Sequence, residues 1–462
     1  MKATDPDATY RVLSLRTIAL AALALVVIGV GVAAWLLLSY GDGTPQSANR
    51  LDAIKTAGTI VVGTGGAGAL WLAARRQRTS EIALRQKDLD HDKVDRAFAL
   101  QERMAASSEA DALERRVTDL YTKAAEQLGS DKAPVRLAGM YALERLAQAN
   151  ADQRQTVVNL LCAYLRMPFE EDGPREEREV RLTAQRILGA HAVAGDTHWA
   201  DLDLDLTGAT LLDLDLSAAV VRQLTCANAR LYGETRLDRA TIRHATFEDA
   251  HFAGHLSAVG TTFTGPALFL YAQFKSAAFD EARFVKNARF SEARFAIGAS
   301  FHSTVFEAAA RYSQTVFAGD VQFEAVRFEG NARFAGTRFK GAVRFANVEF
   351  AGETRFDRAV FATLADFVAV RFGGYVEFSE AKFRGDTRFG HVRFADSVRF
   401  NTTQFDGDAR MDHTWVRLDV PDTVTRTWPK VEHAQPGAFE VTSNATGPGD
   451  EGEWGLVEYR AT

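Results

Sequence analysis

The chain has 462 residues, 47% of them hydrophobic, enough for two or three domains with real cores. A net charge of −6 and a pI near 6.0 supply no global basic field for nucleic acid. Two cysteines, Cys162 and Cys226, lie far apart in sequence, which argues against a disulfide framework and suits a reducing compartment.

The first element is Thr17–Tyr40, 24 residues without a charge. A spanning helix needs about 20, so this segment is expected to cross a membrane, and its length speaks against a cleaved secretory signal. Residues 56–74 form a second uncharged run, bounded by Lys55 and by Arg75, Arg76 and Arg78. With Lys2, Arg11 and Arg16 ahead of the first run, the positive-inside rule places both termini in the cytoplasm around a short external loop, 41–55. Gly29 with Ala33, and Gly63 with Ala67, have the small-residue spacing that lets helices approach closely. Gly63, Gly65 and Gly68 also fit G-x-G-x-x-G. A dinucleotide site needs a crossover helix, a second strand and a later acidic residue, and a charged helix-forming run follows instead.

Residues 78–128 contain neither Pro nor Gly and are rich in Glu, Lys, Arg, Ala and Leu, which reads as one or two helices. Gly129 and Ser130 end that run. A helix over 134–149 is expected to bury Val135, Ala138, Ala142 and Leu146, and one over 152–166 to bury Val158, Leu161 and Leu165. A further helix covers about 175–194.

Beyond this module the pattern changes. Of 31 Phe, 28 lie between Phe247 and Phe405. From Phe284 to Phe405 aromatics recur at alternating steps of 6 and 5, with Tyr312 the one departure from Phe. The residue two before each aromatic is Ala, Val or Thr, and the one between is usually polar. Residues i and i−2 share a strand face while i−1 points away, so each short strand turns one large and one small side chain inward. Gly recurs two after the aromatic in the six-residue steps, as at Gly319, Gly330 and Gly341. It is expected to turn corners through positive φ. A helical coiled coil with an 11-residue period is excluded, because steps of 5 and 6 rotate about 140° and 240° around a helix.

Before Phe247 the same grammar runs through Leu206, Leu211, Leu216, Val221, Cys226, Leu231, Leu237 and Ile242. The unit resembles the pentapeptide repeat over about 200–411, and that resemblance implies a right-handed quadrilateral β-helix. Strict members of that family step by five, whereas four sides here take 22 residues. The 22-residue register places Glu349 between Arg327 and Arg371, Asp366 between Arg344 and Arg388, and Glu377 between Arg355 and Arg399. Residues 120–130, 135–148 and 160–169 resemble a helical module found upstream of the repeats in bacterial membrane-anchored pentapeptide proteins.

No catalytic, cofactor-binding or metal-binding residue is assigned, and no cofactor is expected. Asp201, Asp203 and Asp205 mimic the start of a calcium loop, but Leu206 replaces its turn glycine and Leu212 its closing Glu. Asp213 and Asp215 extend the same polar edge. His251 and His255 are four apart, a spacing that does not converge on zinc within a β coil. Cys226 sits at an inward position. Across 264–411, 20 Lys and Arg face 17 Asp and Glu, so nucleic-acid binding is not expected.

The expected organisation is a cytoplasmic N-terminus (1–16), transmembrane helices (17–40 and 56–74) around an external loop (41–55), a cytoplasmic α-helical module (75–198), the repeat β-helix (199–411), and a C-terminal cap and tail (412–462). The reading that follows is a non-enzymatic plasma-membrane scaffold presenting its β-helix to a protein partner. The alternative implied by the resemblance is a DNA-mimicking topoisomerase binder, which needs a strongly acidic face.

Overall fold

The computed structural model describes residues 15–40, 48–421, 423–428, 430–431, 437–442 and 451–461. They divide into two compact units, the first ending at Ala112 and the second beginning at Leu113.

The first unit holds helix α1, Leu15–Tyr40, and most of helix α2, Ala48–Leu128. Three expectations change here. The connecting loop is shorter than 41–55, because 48–55 are already helical and 41–47 lie outside the described residues. Residues 48–128 form one helix of 81 residues, since no proline interrupts them and isolated glycines cost only about 1 kcal/mol each. Among the described residues no helix is long and apolar enough to cross a membrane, so the two expected spans, 17–40 and 56–74, are not supported. The second of them is a stretch within the much longer α2, whose composition is dominated by its charged remainder. An added Cβ at Gly29, Gly65, Gly66 or Gly68 would meet nothing within 4 Å, so among the described residues no neighbour packs closely against these glycines.

The second unit begins with the end of α2, followed by α3 (Ala133–Ala149), α4 (Arg154–Arg166) and α5 (Arg175–Ala192). Pro134 sits in the first turn of α3, where its missing N–H costs nothing. The buried face of α3 is Met140, Leu143, Leu146 and Ala147, while Ala138 and Ala142 are exposed. Of the expected stripe Leu146 is buried and Val135 half-buried, and the two alanines turn outward, because small alanines fit either side of a helix and the larger side chains decide which is inward. Gly139 lets α3 approach closely, since a Cβ there would lie 2.9 Å from the Ala124 carbonyl oxygen. Val158, Leu161 and Leu165 are buried in α4, as their spacing requires.

A β-solenoid of short parallel strands starts at Asp203. Its inward residues form four columns. One runs through Leu206, Cys226 and Phe247, then on to Tyr312, Phe334 and Phe400, all essentially buried. The register step is 20 residues at first, with Asp203 opposite Gln223, then 21 with Val220 opposite Thr241, and 22 with Arg283 opposite Val305. From there it holds at 22, as where Arg327 faces Glu349 and Glu349 faces Arg371, until the last rung, where Val398 faces Arg426. The rings stack along each column, for example Phe323 on Phe345 at 4.8 Å and Phe345 on Phe367 at 5.0 Å. Neighbouring columns meet edge to face, as Phe334 does with Phe345 at 5.8 Å.

The corners divide the labour differently from the sequence expectation. Left-handed residues fall in the five-residue steps and are mostly not glycine: Glu292, Ser303, Gln314 and Ala325 have φ of 61°, 53°, 61° and 55°. The recurrent glycines of the six-residue steps are not at positive φ. Their hydrogen atom is needed because the coil below is too close: a Cβ at Gly330 would lie 2.5 Å from the Ala308 carbonyl carbon, and one at Gly374 2.9 Å from that of Gly352. Buried threonines join coils from inside, with Thr315 Oγ1 donating to the Phe290 carbonyl and Thr337 Oγ1 to that of Tyr312, both at 2.6 Å.

Both ends of the solenoid are covered. Amides on the helices complete the first coil's free edge. Gln155 Nε2 donates to the Asp203 carbonyl while Asp203 N–H donates to Gln155 Oε1, and Gln185 treats Leu212 the same way. At the other end Thr414–Arg417 pairs antiparallel with Trp454–Ala461, which blocks further strand addition.

Candidate interaction surface

The acidic positions of the first coils are occupied by structure. Asp203 accepts from Arg222 Nε at 2.7 Å and Asp205 pairs with Arg166 of α4. Asp213 lies 3.7 Å from Arg178, and Asp215 lies 3.5 Å from Arg236. Burial alone would raise the Asp205 carboxyl, but hydrogen bonds from Thr207 and the Arg166 charge outweigh it and hold it below the usual value. Asp201 shares no ligand set with them, and among the described residues no group of His, Cys, Asp and Glu could hold a metal. His255 Nδ1 meets Ser276 Oγ at 2.8 Å, while His251 is exposed opposite Gln273, with a register irregularity between the two. Gly63–Gly68 lies inside α2, without the strand and turn of a phosphate loop.

Cys162 and Cys226 are free thiols, both buried, brought to the same region where α4 covers the first coils. Burial pushes the Cys162 thiol up to about 12 and the Cys226 thiol higher, so neither is a thiolate nucleophile.

Two polar clusters in the helical module escaped the sequence reading, because their members come from separate helices. Arg181 is buried. Its guanidinium donates to Glu177 Oε1 at 3.0 Å, to the Leu165 carbonyl at 2.9 Å and to the Met167 carbonyl at 2.7 Å, and it covers the Phe169 ring. Tyr164 donates to the same Glu177. Burial and that carboxylate push its phenol up to about 12. In the second cluster His191 stacks on Trp199 at 4.0 Å, its Nδ1–H donating to the Thr197 carbonyl at 2.8 Å and its Nε2 2.8 Å from Glu144. Both clusters fasten helices together, and neither opens onto a cleft.

What remains is the outward face of the solenoid. The predicted charge register is present, with Arg344, Asp366 and Arg388 on consecutive coils. The ion pairs follow it only in part. Arg344 lies 3.8 Å from Asp366, but Arg388 turns to Asp412 at 3.6 Å. Arg355 takes Glu353, two residues back along the chain, and Glu377 is occupied by the hydroxyls of Tyr375 and Ser379. Carboxylates two positions along a strand compete with those across it, so register alone did not fix the partners. A shallow open depression of about 470 Å³ is lined by Arg358, Glu380, Lys382 and Arg384 among others.

Comparison with protein families gives matches to the model described as pentapeptide repeats (9 copies), at residues 258–305, 301–349, 336–380 and 367–415. The coils from Asp203 to Ser257 keep the solenoid's pairing while lying upstream of those matches. No significant match was found among curated proteins or among solved structures.

Proposed function

Starting from a pentapeptide-repeat β-solenoid, we propose that this protein is a non-enzymatic scaffold whose outward columns dock a protein partner. One observation carries the proposal. Asp203, Asp205, Asp213 and Asp215 are taken up in ion pairs and Cys162 and Cys226 in burial, while the repeat presents long, regular rows of side chains on a stacked aromatic core. Such a solenoid has little freedom to close around a small substrate and much surface on which to hold a partner. The DNA-mimic alternative finds no support in the charge distribution, since one face carries successive arginines.

The proposal includes attachment to the cell membrane with the solenoid on the cytoplasmic side. That part rests on the sequence, on the two uncharged runs 17–40 and 56–74, with Lys2, Arg11 and Arg16 ahead of the first and Arg75, Arg76 and Arg78 after the second. Resistance of the full chain to alkaline carbonate extraction supports it, and complete release overturns it.

A biotin ligase fused to the C-terminus in native cells tests the scaffold. A reproducible set of labelled proteins, lost when outward residues of one face are substituted, is the expected result. A labelling profile identical to that of free ligase overturns the proposal.

A further inference from the structure

On one side of the solenoid the alternation of charge stops. Arg289 faces Arg311, and Arg311 faces Arg333, in strict register on consecutive coils. Strands of a sheet lie about 4.7–4.9 Å apart, and like charges directly opposite one another are destabilising. At another such rung the neighbours carry their own carboxylates: Arg388 and Arg410 adjoin, but the first has Asp412 and the second Asp408, each at 3.6 Å. Arg289, Arg311 and Arg333 have no ion pair and no side-chain hydrogen bond among the described residues. They are half-buried rather than extended into solvent, and Arg289 Nε is buried without a partner.

Their surroundings along the chain hold no acid, and the one other charge is Lys286, of the same sign. The segments 286–291, 308–313 and 330–335 read KNARFS, AAARYS and GNARFA, which contain no acidic residue. Nearby carboxylates are committed elsewhere: Glu307 to Arg283, Glu329 to Arg327, and Glu353 to Arg355, the rung that ends the uncompensated run. The repeat imposes the register, so the three charges cannot separate along the coil axis.

We propose that Arg289, Arg311 and Arg333 form a ladder that binds a polyvalent phosphate. Each planar guanidinium offers paired N–H donors matched to two oxygens of a phosphoryl group. A chain of linked phosphates engages several rungs at once, so affinity rises with phosphate number. This site stands whether or not the scaffold reading is correct, because it asks nothing of a protein partner.

The test titrates the full-length protein with orthophosphate, pyrophosphate and tripolyphosphate by calorimetry at low ionic strength. Three proteins are compared: the wild type, the triple variant Arg289→Gln/Arg311→Gln/Arg333→Gln, and the control triple Arg327→Gln/Arg344→Gln/Arg388→Gln, which loses the same charge from other columns. The wild type should bind tripolyphosphate tightest, and the ladder triple should weaken it about tenfold or more, while the control shifts it by less than about threefold. Arg311→Gln alone removes the central rung and keeps the test open if a triple variant misfolds. Equal weakening in both triples overturns the proposal, reducing it to general attraction. No gain from orthophosphate to tripolyphosphate overturns it as well, as does binding of poly-glutamate in preference to tripolyphosphate.

Discussion

Replacing Tyr312 by Phe removes one oxygen from a column that is otherwise phenylalanine from Phe247 to Phe400. The ring lies flat between Phe290 and Phe334, with centroids 4.9 and 5.0 Å away, and meets Phe301 and Phe323 edge-on at 5.7 and 5.9 Å. Its hydroxyl is buried and has no hydrogen-bond partner. An unpaired buried hydroxyl costs about 1–3 kcal/mol, while ring burial and stacking survive in Phe, so Tyr312→Phe should stabilise the solenoid by that amount. Burial also pushes the phenol well above its ordinary value near 10. A group whose folded pKa is raised contributes its full stability below the unfolded value and loses it as pH climbs past that value. The advantage of Phe should therefore widen above about pH 10. Urea unfolding of the full chain, followed by tryptophan fluorescence, should give a higher midpoint with an unchanged slope at about pH 8, and a larger gap at about pH 10.5. A lower midpoint at pH 8 refutes the reasoning, and means that the hydroxyl is bonded, as a trapped water could do.

Gly330→Ala should destabilise by about 1–3 kcal/mol in the same assay, because its Cβ meets the Ala308 backbone. Ala325→Gly, at φ 55°, should be near neutral, as relief of left-handed strain offsets added chain entropy. Arg181→Met leaves the Leu165 and Met167 carbonyls without their side-chain donor, while Glu177 keeps Arg136 and Tyr164, and should cost about 1–3 kcal/mol per unsatisfied group, read as early loss of helical circular dichroism on heating. Phe345→Ala should lose about 3–5 kcal/mol to its cavity, and Phe405→Ala, nearer the end of its column, less; equal losses would deny that terminal coils fray.

Much of the solenoid was legible because its core is written in a fixed period. A large inward residue every five or six positions and a small one two before it name the strands, the columns and the 22-residue register. The glycine role was not legible. Gly319 and Gly330 mark close approach of coils rather than positive φ, and the residues at positive φ, such as Glu292 and Gln314, give no compositional signal. Nor could the sequence show that Gln155 and Gln185 complete a strand edge, since that depends on helices meeting the first coil. The arginine ladder was hidden by averaging: a near-even balance of charge over 264–411 conceals one side with no acid from 308 to 313 or 330 to 335.

Both the docking surface and the arginine ladder depend on one register, and excimer fluorescence tests it directly. Pyrene is attached to cysteines placed at outward positions in a background with Cys162 and Cys226 replaced. Gln322 and Arg344, 22 residues apart, are in-register neighbours on consecutive coils, whereas Gln322 and Arg333, 11 apart, belong to different columns. The account predicts strong excimer emission from the 322/344 pair and monomer emission from 322/333. Excimer from 322/333, with none from 322/344, would contradict it and mean an 11-residue coil.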